Sequence, residues 1–421
     1  MPTAIESRPR ALVRASGGPR YAVALAVDAL GTGLLRPFLL LYGVTVLGLS
    51  APVTGIAMTA GIVVALACTP FVGRWLDRGA RSTVVAASML VRVAGVALLL
   101  AAPAGNVAMF TAAALFLGVG NQAWPAAHAA LVATVAHGRE RDAALAAGRA
   151  LRNGGMGVGA LLAIAFLTGG AGALQALAGV TGLAYSAAAA LTWSVRLRAG
   201  TADAEAGEKV QGPPPKMRAL LTANVVYTFC LNVPEIALPL VLVTQLDASP
   251  AWSAVVFIAN TVMVVALQVP VTILTSRYRR RSVLALGGAV LAASYLGFLA
   301  ASLLGHGWAA PAIVAVSLVC NLGEILYAGS ATALVTALAP AHAMGRALAR
   351  FQFSTGLGLA VSPAAITALA ALGPVALWGG LAAATLAAAG AVAAERDRET
   401  PSVSPMGIER DRVQVPAGRS R

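Results

Sequence analysis

Long apolar segments separated by short polar breaks dominate the pattern of hydrophobic and polar positions along the chain. A helix that crosses a bilayer needs about 20 predominantly apolar residues, and charged, glycine or proline breaks divide the chain into twelve segments of this kind. The sequence therefore predicts an all-α membrane protein with transmembrane helices at residues 21–47, 52–73, 83–103, 106–135, 143–168, 172–195, 218–244, 251–274, 282–304, 309–338, 346–371 and 373–394.

Arginine and lysine occur in alternate loops of this pattern. They are present in the N-terminal tail, in the loops after predicted helices 2, 4, 6 and 8, and in the C-terminal tail, whereas the loops on the other side contain none. Cytoplasmic loops of membrane proteins carry the excess of basic residues. We therefore predict that both termini are cytoplasmic and that the chain is a multi-pass protein of the plasma or inner membrane.

The composition agrees with a membrane protein and excludes a soluble globular domain. Of 421 residues, 58% are hydrophobic and only 11% are charged, and the mean hydropathy is +0.80. A net charge of +14 would suggest nucleic acid as a partner of a soluble protein, but here the basic residues follow the loop pattern. We expect no nucleic acid partner, and membrane lipids as the surroundings.

An internal repeat divides the chain into two halves. Residues 118–136 align without gaps on residues 321–339, where ALVATVA matches ALVTALA at an offset of 203 residues. The repeats have the same orientation, which predicts two parallel six-helix halves. The predicted organisation is an N-terminal tail, a first half, a linker, a second half and a tail that we expect to be disordered, at residues 1–20, 21–196, 197–217, 218–394 and 395–421.

Two motifs give a resemblance to a known family. The loop VGRWLDRGARS, 72–82, resembles the signature between helices 2 and 3 of the major facilitator superfamily, with Ala80 in place of a glycine. The stretch NLGEILYAGSATAL, 321–334, is similar to helix 10 of the twelve-helix proton-driven multidrug exporters in that superfamily. The resemblance implies a secondary transporter that works by alternating access, with its substrate site near mid-membrane between the halves.

The loop signature implies an inner gate, to which Gly73, Asp77, Arg78 and Arg81 contribute. In the superfamily, the acid locks the two halves together on the inner side by capping the N-terminus of another helix. The resemblance places that partner at the start of helix 11, near residues 343–350, and we expect the two arginines to meet phospholipid headgroups or nearby acids. The alternative is a plain solvated turn.

Five ionisable residues lie deep inside the predicted helices: the acids Asp28, Glu235 and Glu324 and the bases Arg36 and Arg92. Each would cost about 2.5–3.5 kcal/mol or more at a lipid-facing position, so each should face protein or a water-filled cavity.

Depth and spacing suggest partners for two of these charges. Asp28, Thr32 and Arg36 follow at intervals of four residues and form one polar stripe on helix 1. We hypothesise that Arg36 and Glu235, on the symmetry-related helices 1 and 7, form or break an external ion pair. Alternatively, each charge is tied to a nearby backbone carbonyl or hydroxyl group.

Glu324 is the strongest candidate for proton coupling, with Asp28 and Glu235 as further candidates. A carboxyl in a partly dry cavity can become a reversible proton carrier. Glu324 aligns with Asn121 of the other half, and Tyr327 aligns with Trp124. The two aromatic rings could offer π faces to a lipophilic cation. The predicted substrate cavity comprises Asn121, Trp124, Tyr327, Asn321, Thr32, Arg36 and Arg92. The alternative for Glu324 is a neutral acid hydrogen-bonded between helices.

Two further patterns resemble catalytic or cofactor motifs. HGRERD, 137–142, has the His-x4-Asp spacing of acyltransferases, but it lies in a short loop. GGMGVGA, 154–160, contains G-x-G-x-x-A inside an apolar helix, where close helix packing explains it better. We therefore expect no enzymatic activity, no cofactor and no metal.

The predicted function is proton-coupled efflux of lipophilic or cationic small molecules. The alternative is a proton-coupled carrier of a polar metabolite, which a cavity richer in Arg, Asn and Gln than in aromatic contacts would favour. The expected partners are a small-molecule substrate, protons and lipids, and we expect a monomer.

Overall fold

The computed structural model describes residues 8–79, 81–166, 170–195, 217–242, 246, 249, 251–304 and 306–395. Within these ranges, every regular element is helical, in agreement with the predicted fold class. The first half contains α1 (Pro19–Thr45), α2 (Ala51–Asp77), α3 (Arg81–Ala101), α4 (Val107–Val135), α5 (Gly138–Phe166) and α6 (Gly170–Ser194).

The second half contains six more helical stretches. They are α7 (218–240), α8 (Ala251–Thr275), α9 (Arg280–Ser302), α10 (His306–Leu338), α11 (Met344–Ala371) and α12 (Val375–Ala394). A 3-10 turn, Ala341–Ala343, precedes α11, and α12 begins with a π-helical turn, Val375–Gly379.

Proline interrupts two of the predicted continuous helices. In α1, the 3-10 turn Arg36–Phe38 separates Pro19–Leu35 from Leu39–Thr45. Stretch α7 consists of Arg218–Tyr227, Phe229–Asn232, a π-helical turn at Val233–Ala237 and Leu238–Leu240. Proline has no amide hydrogen and removes a helical hydrogen bond, so Pro37, Pro234 and Pro239 mark these irregularities.

Ten of the described stretches are long and apolar enough to cross a membrane. Stretch α7 is not among them because its regular segments are short, and α5 is not because polar and glycine residues lower the hydropathy of its 29 residues. The count of twelve spans and the cytoplasmic position of the termini therefore stay predictions.

The two halves meet through reciprocal helix pairs. On one side, α2 of the first half packs on α11 of the second, where a Cβ atom on Gly73 would lie 2.6 Å from that of Ala349. On the other side, α5 packs on α8, and a Cβ on Gly154 would lie 3.4 Å from a methyl group of Val265. The second helix of each half thus contacts the fifth helix of the other, as expected for two parallel repeats related by a pseudo-twofold axis.

Close packing of α1 on α5 explains the glycine-rich motif at 154–160. A Cβ on Gly155 would lie 2.6 Å from that of Ala29, and a Cβ on Gly159 would collide with the backbone oxygen of Leu30. Small residues allow such close approach between helices. The motif therefore packs helices together, as the sequence indicated.

The N-terminal tail contains structure that the sequence analysis did not predict. Arg8–Ala15 forms a short helix, and its Ala15 is buried against Val132, Ala136 and Ala144. The spacing of apolar residues in this segment follows a helical period and could have indicated an amphipathic helix. The predicted linker, apart from Met217, and the tail beyond Glu395 lie outside the described residues.

Candidate functional site

The most deeply buried charges form an ion-pair cluster in the first half. Asp28 on α1 is 0% exposed, and its Oδ1 lies 2.5 Å from Nη2 of Arg92 on α3. Its other carboxylate oxygen lies 3.2 Å from Nη1 of Arg152 on α5. One carboxylate therefore pairs with two guanidinium groups, and this cluster carries a net positive charge when all three groups are ionised.

Thr32 and Tyr185 fix the guanidinium group of Arg92. Thr32 lies one turn after Asp28, and its Oγ1 accepts hydrogen bonds from Arg92 (3.3 Å) and from the Tyr185 hydroxyl (3.2 Å). The centre of the guanidinium lies 4.4 Å from the Tyr185 ring centroid, a cation–π distance. Arg92 is therefore held by an ion pair, a hydrogen bond and an aromatic face.

An aromatic stack supports Arg152. Its guanidinium carbon lies 4.1 Å from the Trp124 ring centroid on α4. Trp124 stacks on His128 at 5.0 Å with an angle of 3° between the rings, and His128 Nδ1 lies 2.9 Å from the Tyr21 hydroxyl. Because protein groups contact the Trp124 ring in this way, its π face serves the protein more than a ligand. His128 acts here as a packing residue.

Arg149 reaches from the first half towards the second. It lies one turn before Arg152 on α5, and its Nη2 is 3.4 Å from Oγ1 of Thr332 on α10. It is also close enough to Glu324 and Tyr327 of α10 to interact electrostatically with both. Arg149 therefore links the charges of the first half to the predicted proton-coupling residue of the second.

Arg149 and Arg152 are the charged residues of the candidate site that were not predicted from the sequence. The sequence indicated Arg36 and Arg92 as the deep bases and a helix 5 that begins at residue 143, whereas α5 begins at Gly138. Arg149 and Arg152 consequently lie 11 and 14 residues into the helix, or about 16 and 21 Å along its axis. Their spacing of three residues places both arginines on one helix face, and the apolar residues around them could have indicated that both lie inside the membrane.

Glu324 and the two asparagines lie on the repeated helices α4 and α10. Glu324 is 8% exposed, and Asn321, one turn earlier, is buried with its amide 3.9 Å from the sulfur of Met263. Asn121 is half-buried, and its buried Oδ1 has no hydrogen-bond partner within the described part of the chain. Arg149 interacts electrostatically with Glu324, so this carboxyl is coupled to the charges of α5.

Tyr327 belongs to a hydrogen-bond network inside the second half. Its hydroxyl donates to Oδ1 of Asn224 at 2.7 Å and lies 3.1 Å from Oγ1 of Thr228. Its ring packs edge-on against Tyr227, with 5.5 Å between centroids. These contacts connect α10 to α7 and differ from the ligand-facing ring expected from the sequence.

The hypothesised pair between Arg36 and Glu235 is not tested by the described residues. Arg36 lies in the 3-10 turn of α1 and is exposed, and it interacts electrostatically with Arg152 of the cluster. Pro37 breaks the helix at this point. Glu235 lies in the π-helical turn of α7, and its side chain is outside the described residues. The pair stays a prediction.

The contact expected for Asp77 is present at the start of α11. Its Oδ1 accepts hydrogen bonds from the backbone amides of Gly345 at 2.6 Å and Arg346 at 3.3 Å, and its Oδ2 accepts one from Nε of Arg346 at 2.6 Å. Free amides at a helix start favour a carboxylate. Gly73, one turn earlier, allows the backbones of α2 and α11 to come close.

The two arginines of the signature have different surroundings. Arg78 is exposed. Arg81, in contrast, is buried and donates from Nη1 to Oγ1 of Thr134 at 2.7 Å and to the Ala130 carbonyl at 3.4 Å. Arg81 is buried because the first turn of α3 packs against the end of α4, so its guanidinium is not exposed to headgroups; the alternative of a nearby acid stays a prediction.

A second ion pair joins the halves on the same side. Nη2 and Nε of Arg280, at the start of α9, lie 2.6 Å and 3.1 Å from Oδ2 of Asp142 on α5. In the sequence, Asp142 belongs to the His-x4-Asp pattern, and the arginines at 277–281 indicate only a cytoplasmic loop. The structure brings these two motifs together, although 138 residues separate the partners.

On the opposite side of the molecule, the contact face of α2 is open. An apolar depression of about 680 Å³ follows its first three turns and is lined in part by Pro52, Gly55, Thr59 and Val63. These positions continue the helix face that meets α11 at Gly73 and Asp77. The halves are thus in contact at the predicted cytoplasmic side, whereas the described residues that line the depression at the other end all belong to α2.

A family model described as Major Facilitator Superfamily matches residues 21–363 and 220–416. No curated protein sequence matches the chain. Within the described ranges, no three His, Cys, Asp or Glu side chains lie close enough together to hold a metal ion.

Solved structures with this architecture include transporters of different substrates. A bacterial homologue of the iron transporter ferroportin, in the outward-facing state, is 11% identical with a TM-score of 0.74; the match covers 89% of this chain and 98% of that one. The human organic anion transporter MFSD10 (TETRAN) is 15% identical with a TM-score of 0.66, over 92% of this chain and 98% of that one. At such identities, the likeness shows the fold alone.

Proposed function

Because the chain belongs to the Major Facilitator Superfamily, we propose that it is a secondary transporter that carries a small polar molecule across the membrane by alternating access, with protons as the coupling ion. The observation that carries the proposal is a charged cluster where two six-helix halves meet. The cluster lies beyond the Asp77 and Asp142 contacts that close one side. Intramembrane charges mark transport pathways by default.

Alternating access requires contacts that can open on each side in turn. The contacts of Asp77 with α11 and of Asp142 with Arg280 both join the halves on the predicted cytoplasmic side. The open face of α2 lies on the other side. The described conformation is therefore interpreted as closed to the cytoplasm and open towards the exterior.

Glu324 is the proposed proton-coupling residue. It is a nearly buried carboxyl on α10, beside Arg149 of the other half. A change in its protonation alters an electrostatic contact between the halves. Asp28, in contrast, makes ion pairs with both Arg92 and Arg152. Protonation of the Asp28 carboxylate would remove the negative charge from both ion pairs. We therefore assign Asp28 to the organisation of the site, and Glu235 stays a further candidate.

The geometry favours the polar-metabolite alternative over export of a lipophilic cation. Arg92 and Arg152 lie in the cluster and Arg149 lies one turn away, whereas the rings of Trp124 and Tyr327 already contact protein groups. A cation would have to bind beside three guanidinium groups. Multidrug efflux and antiport, implied by the resemblance of helix 10, therefore have less support than carriage of a polar molecule.

The proposed setting is the plasma or inner membrane, in contact with lipids. We propose a monomer as the working unit, because the superfamily fold builds its translocation path between two halves of one chain.

Distances between spin labels would test alternating access without knowledge of the substrate. The inner label pair would occupy Trp75 and Arg350, which are exposed near the contact of α2 with α11. The outer label pair would occupy Ser50 and Leu372, exposed just before α2 and just after α11. Native cysteines would be replaced by alanine at 68, 230 and 320.

Alternating access predicts reciprocal changes in reconstituted protein as the pH is lowered. The inner distance should lengthen in the fraction of molecules in which the outer distance shortens. A matched control pair within one half, at Trp75 and Ser50, should not change. If the inner and outer distances change together, or neither changes with pH, the proposal is wrong.

A further inference from the structure

We propose that the substrate is a small organic anion, bound by Arg149 and carried together with a proton that Glu324 takes up. This inference rests on the transporter function proposed above and adds the chemical class of the substrate. It also reverses the relation between proton and substrate that the sequence suggested, because a cation would exchange with a proton.

The charge balance of the cluster is the first argument. Among the described side chains, the guanidinium groups of Arg92, Arg149 and Arg152 face only two carboxylates, those of Asp28 and Glu324. An uncompensated charge in the membrane interior is costly. The surplus positive charge attracts an anion and repels a cation.

The surroundings of the arginines distinguish fixed charges from an exchangeable one. Arg92 and Arg152 are both paired with Asp28, and each guanidinium lies over an aromatic ring. Within the described part of the chain, Arg149 makes one long hydrogen bond, 3.4 Å to the Thr332 hydroxyl, and interacts electrostatically with Glu324, Tyr327 and Cys230. Of the three arginines, Arg149 would therefore lose the fewest stabilising contacts if its guanidinium changed partner.

The accessibility of Arg149 also favours it as the residue that binds the substrate. Arg149 is half-buried, whereas Arg92 is fully buried, and it projects from α5 towards α10 where the halves meet. A guanidinium presents several N–H donors in one plane and binds a carboxylate through two parallel hydrogen bonds. A substrate that enters between the halves can thus reach this side chain.

The exchange of partners couples the anion to a proton. When Glu324 is ionised, its negative charge balances that of Arg149. When Glu324 takes up a proton, it becomes neutral, and the carboxylate of the substrate replaces it as the counter-charge of Arg149. One proton and one negative charge therefore enter the site together, and the site keeps its net charge for a monoanion.

Calorimetric titration of purified protein in two buffers of different ionisation enthalpy measures the protons taken up per ligand bound. The probes are acetate, benzoate, succinate and citrate as carboxylates, inorganic phosphate as a different oxyanion, and tetraphenylphosphonium as a lipophilic cation. We expect at least one carboxylate to bind with uptake of about one proton, because one carboxyl group neutralises for each anion bound.

Three variants assign the two roles. Arg149→Gln should weaken binding of that anion about 10- to 100-fold, as expected for the loss of a charge-assisted hydrogen bond, and Arg149→Lys should keep part of the affinity. Glu324→Gln should bind the anion without proton uptake. The matched control is Arg139→Gln, an exposed residue in the first turn of the same helix, which should behave as the wild type.

Binding of tetraphenylphosphonium with proton release would overturn the inference. It would also be overturned if, for every probe, Arg149→Gln bound with the same affinity as the wild type. Binding of phosphate alone would refute the carboxylate class. A failure of this inference about the substrate can be distinguished from a failure of the transporter proposal. Reciprocal changes in the two spin-label distances would still establish alternating access if every anion failed to bind.

Discussion

Removal of the Arg280 side-chain charge should open the predicted cytoplasmic side. Arg280 joins the second half to Asp142 of the first through two hydrogen bonds to one carboxylate oxygen, at 2.6 and 3.1 Å. Since the partners belong to different halves, their contact exists only while the halves are together on this side. Arg280→Gln should therefore destabilise the closed state relative to the open one.

The magnitude follows from the burial of the two partners. Hydrogen bonds to charged groups contribute about 1.5–3 kcal/mol. The Asp142 side chain is 4% exposed, but that of Arg280 is 30% exposed, and solvent lowers the contribution of such a pair. We therefore expect a loss of about 1–2 kcal/mol, which changes the ratio of open to closed molecules by a factor of about 5–30.

The inner spin-label pair at Trp75 and Arg350 would measure this ratio from the fraction of long distances. Arg281→Gln is the matched control, because Arg281 binds Glu395 of the same half at 2.7 Å. Asp142→Asn should give the same shift as Arg280→Gln, and the double variant should add little to either. An unchanged distance distribution in Arg280→Gln, or an equal shift in Arg281→Gln, would refute the reasoning.

Two further predictions concern close packing. Gly148→Ala should lower the unfolding temperature, because its Cβ would lie 2.5 Å from Nε2 of His128 and overpacking costs about 1–3 kcal/mol; Gly172→Ala, with no neighbour within 4 Å, is the control. Gly73→Val should lengthen the inner spin-label distance, because its Cβ would lie 2.6 Å from that of Ala349. An unfolding temperature of Gly148→Ala equal to that of Gly172→Ala would contradict the first prediction. An unchanged inner distance in Gly73→Val would contradict the second.

The sequence predicted the helices well because the bilayer sets their length. Predicted and observed bounds agree within about five residues, since an apolar run must cover the hydrocarbon core. The helix breaks at Pro37 and Pro234 are local effects that a hydropathy pattern does not resolve. The start of α5 was missed for a related reason: its first turn is polar, and hydropathy detects only the apolar part.

The site was predictable only in part, because its contacts join distant segments. Asp77 could be paired with the start of α11 through a family motif. Arg152 could not be paired with Asp28 from the sequence, because 124 residues separate them and periodicity does not determine which helices face each other. The same limit applies to Asp142 and Arg280, each of which looked like a local feature of its own loop.

Charge counting also changed the predicted substrate. From the sequence, the resemblance of residues 321–334 to multidrug exporters favoured a lipophilic cation, with Glu324 as the carboxylate that attracts it. The structure adds Arg149 and Arg152 and shows Arg36 to be exposed. The described cluster is therefore positive, and the preferred substrate becomes an anion.

The most direct test of proton-coupled alternating access compares the pH response of the wild type with that of Glu324→Gln, using the inner and outer spin-label pairs in reconstituted protein. Protonation of Glu324 weakens its attraction to Arg149 across the halves. In the wild type, a lower pH should therefore lengthen the inner distance and shorten the outer one. Glu324→Gln should show the low-pH distances at every pH. A wild-type pH response in Glu324→Gln would contradict coupling through this residue.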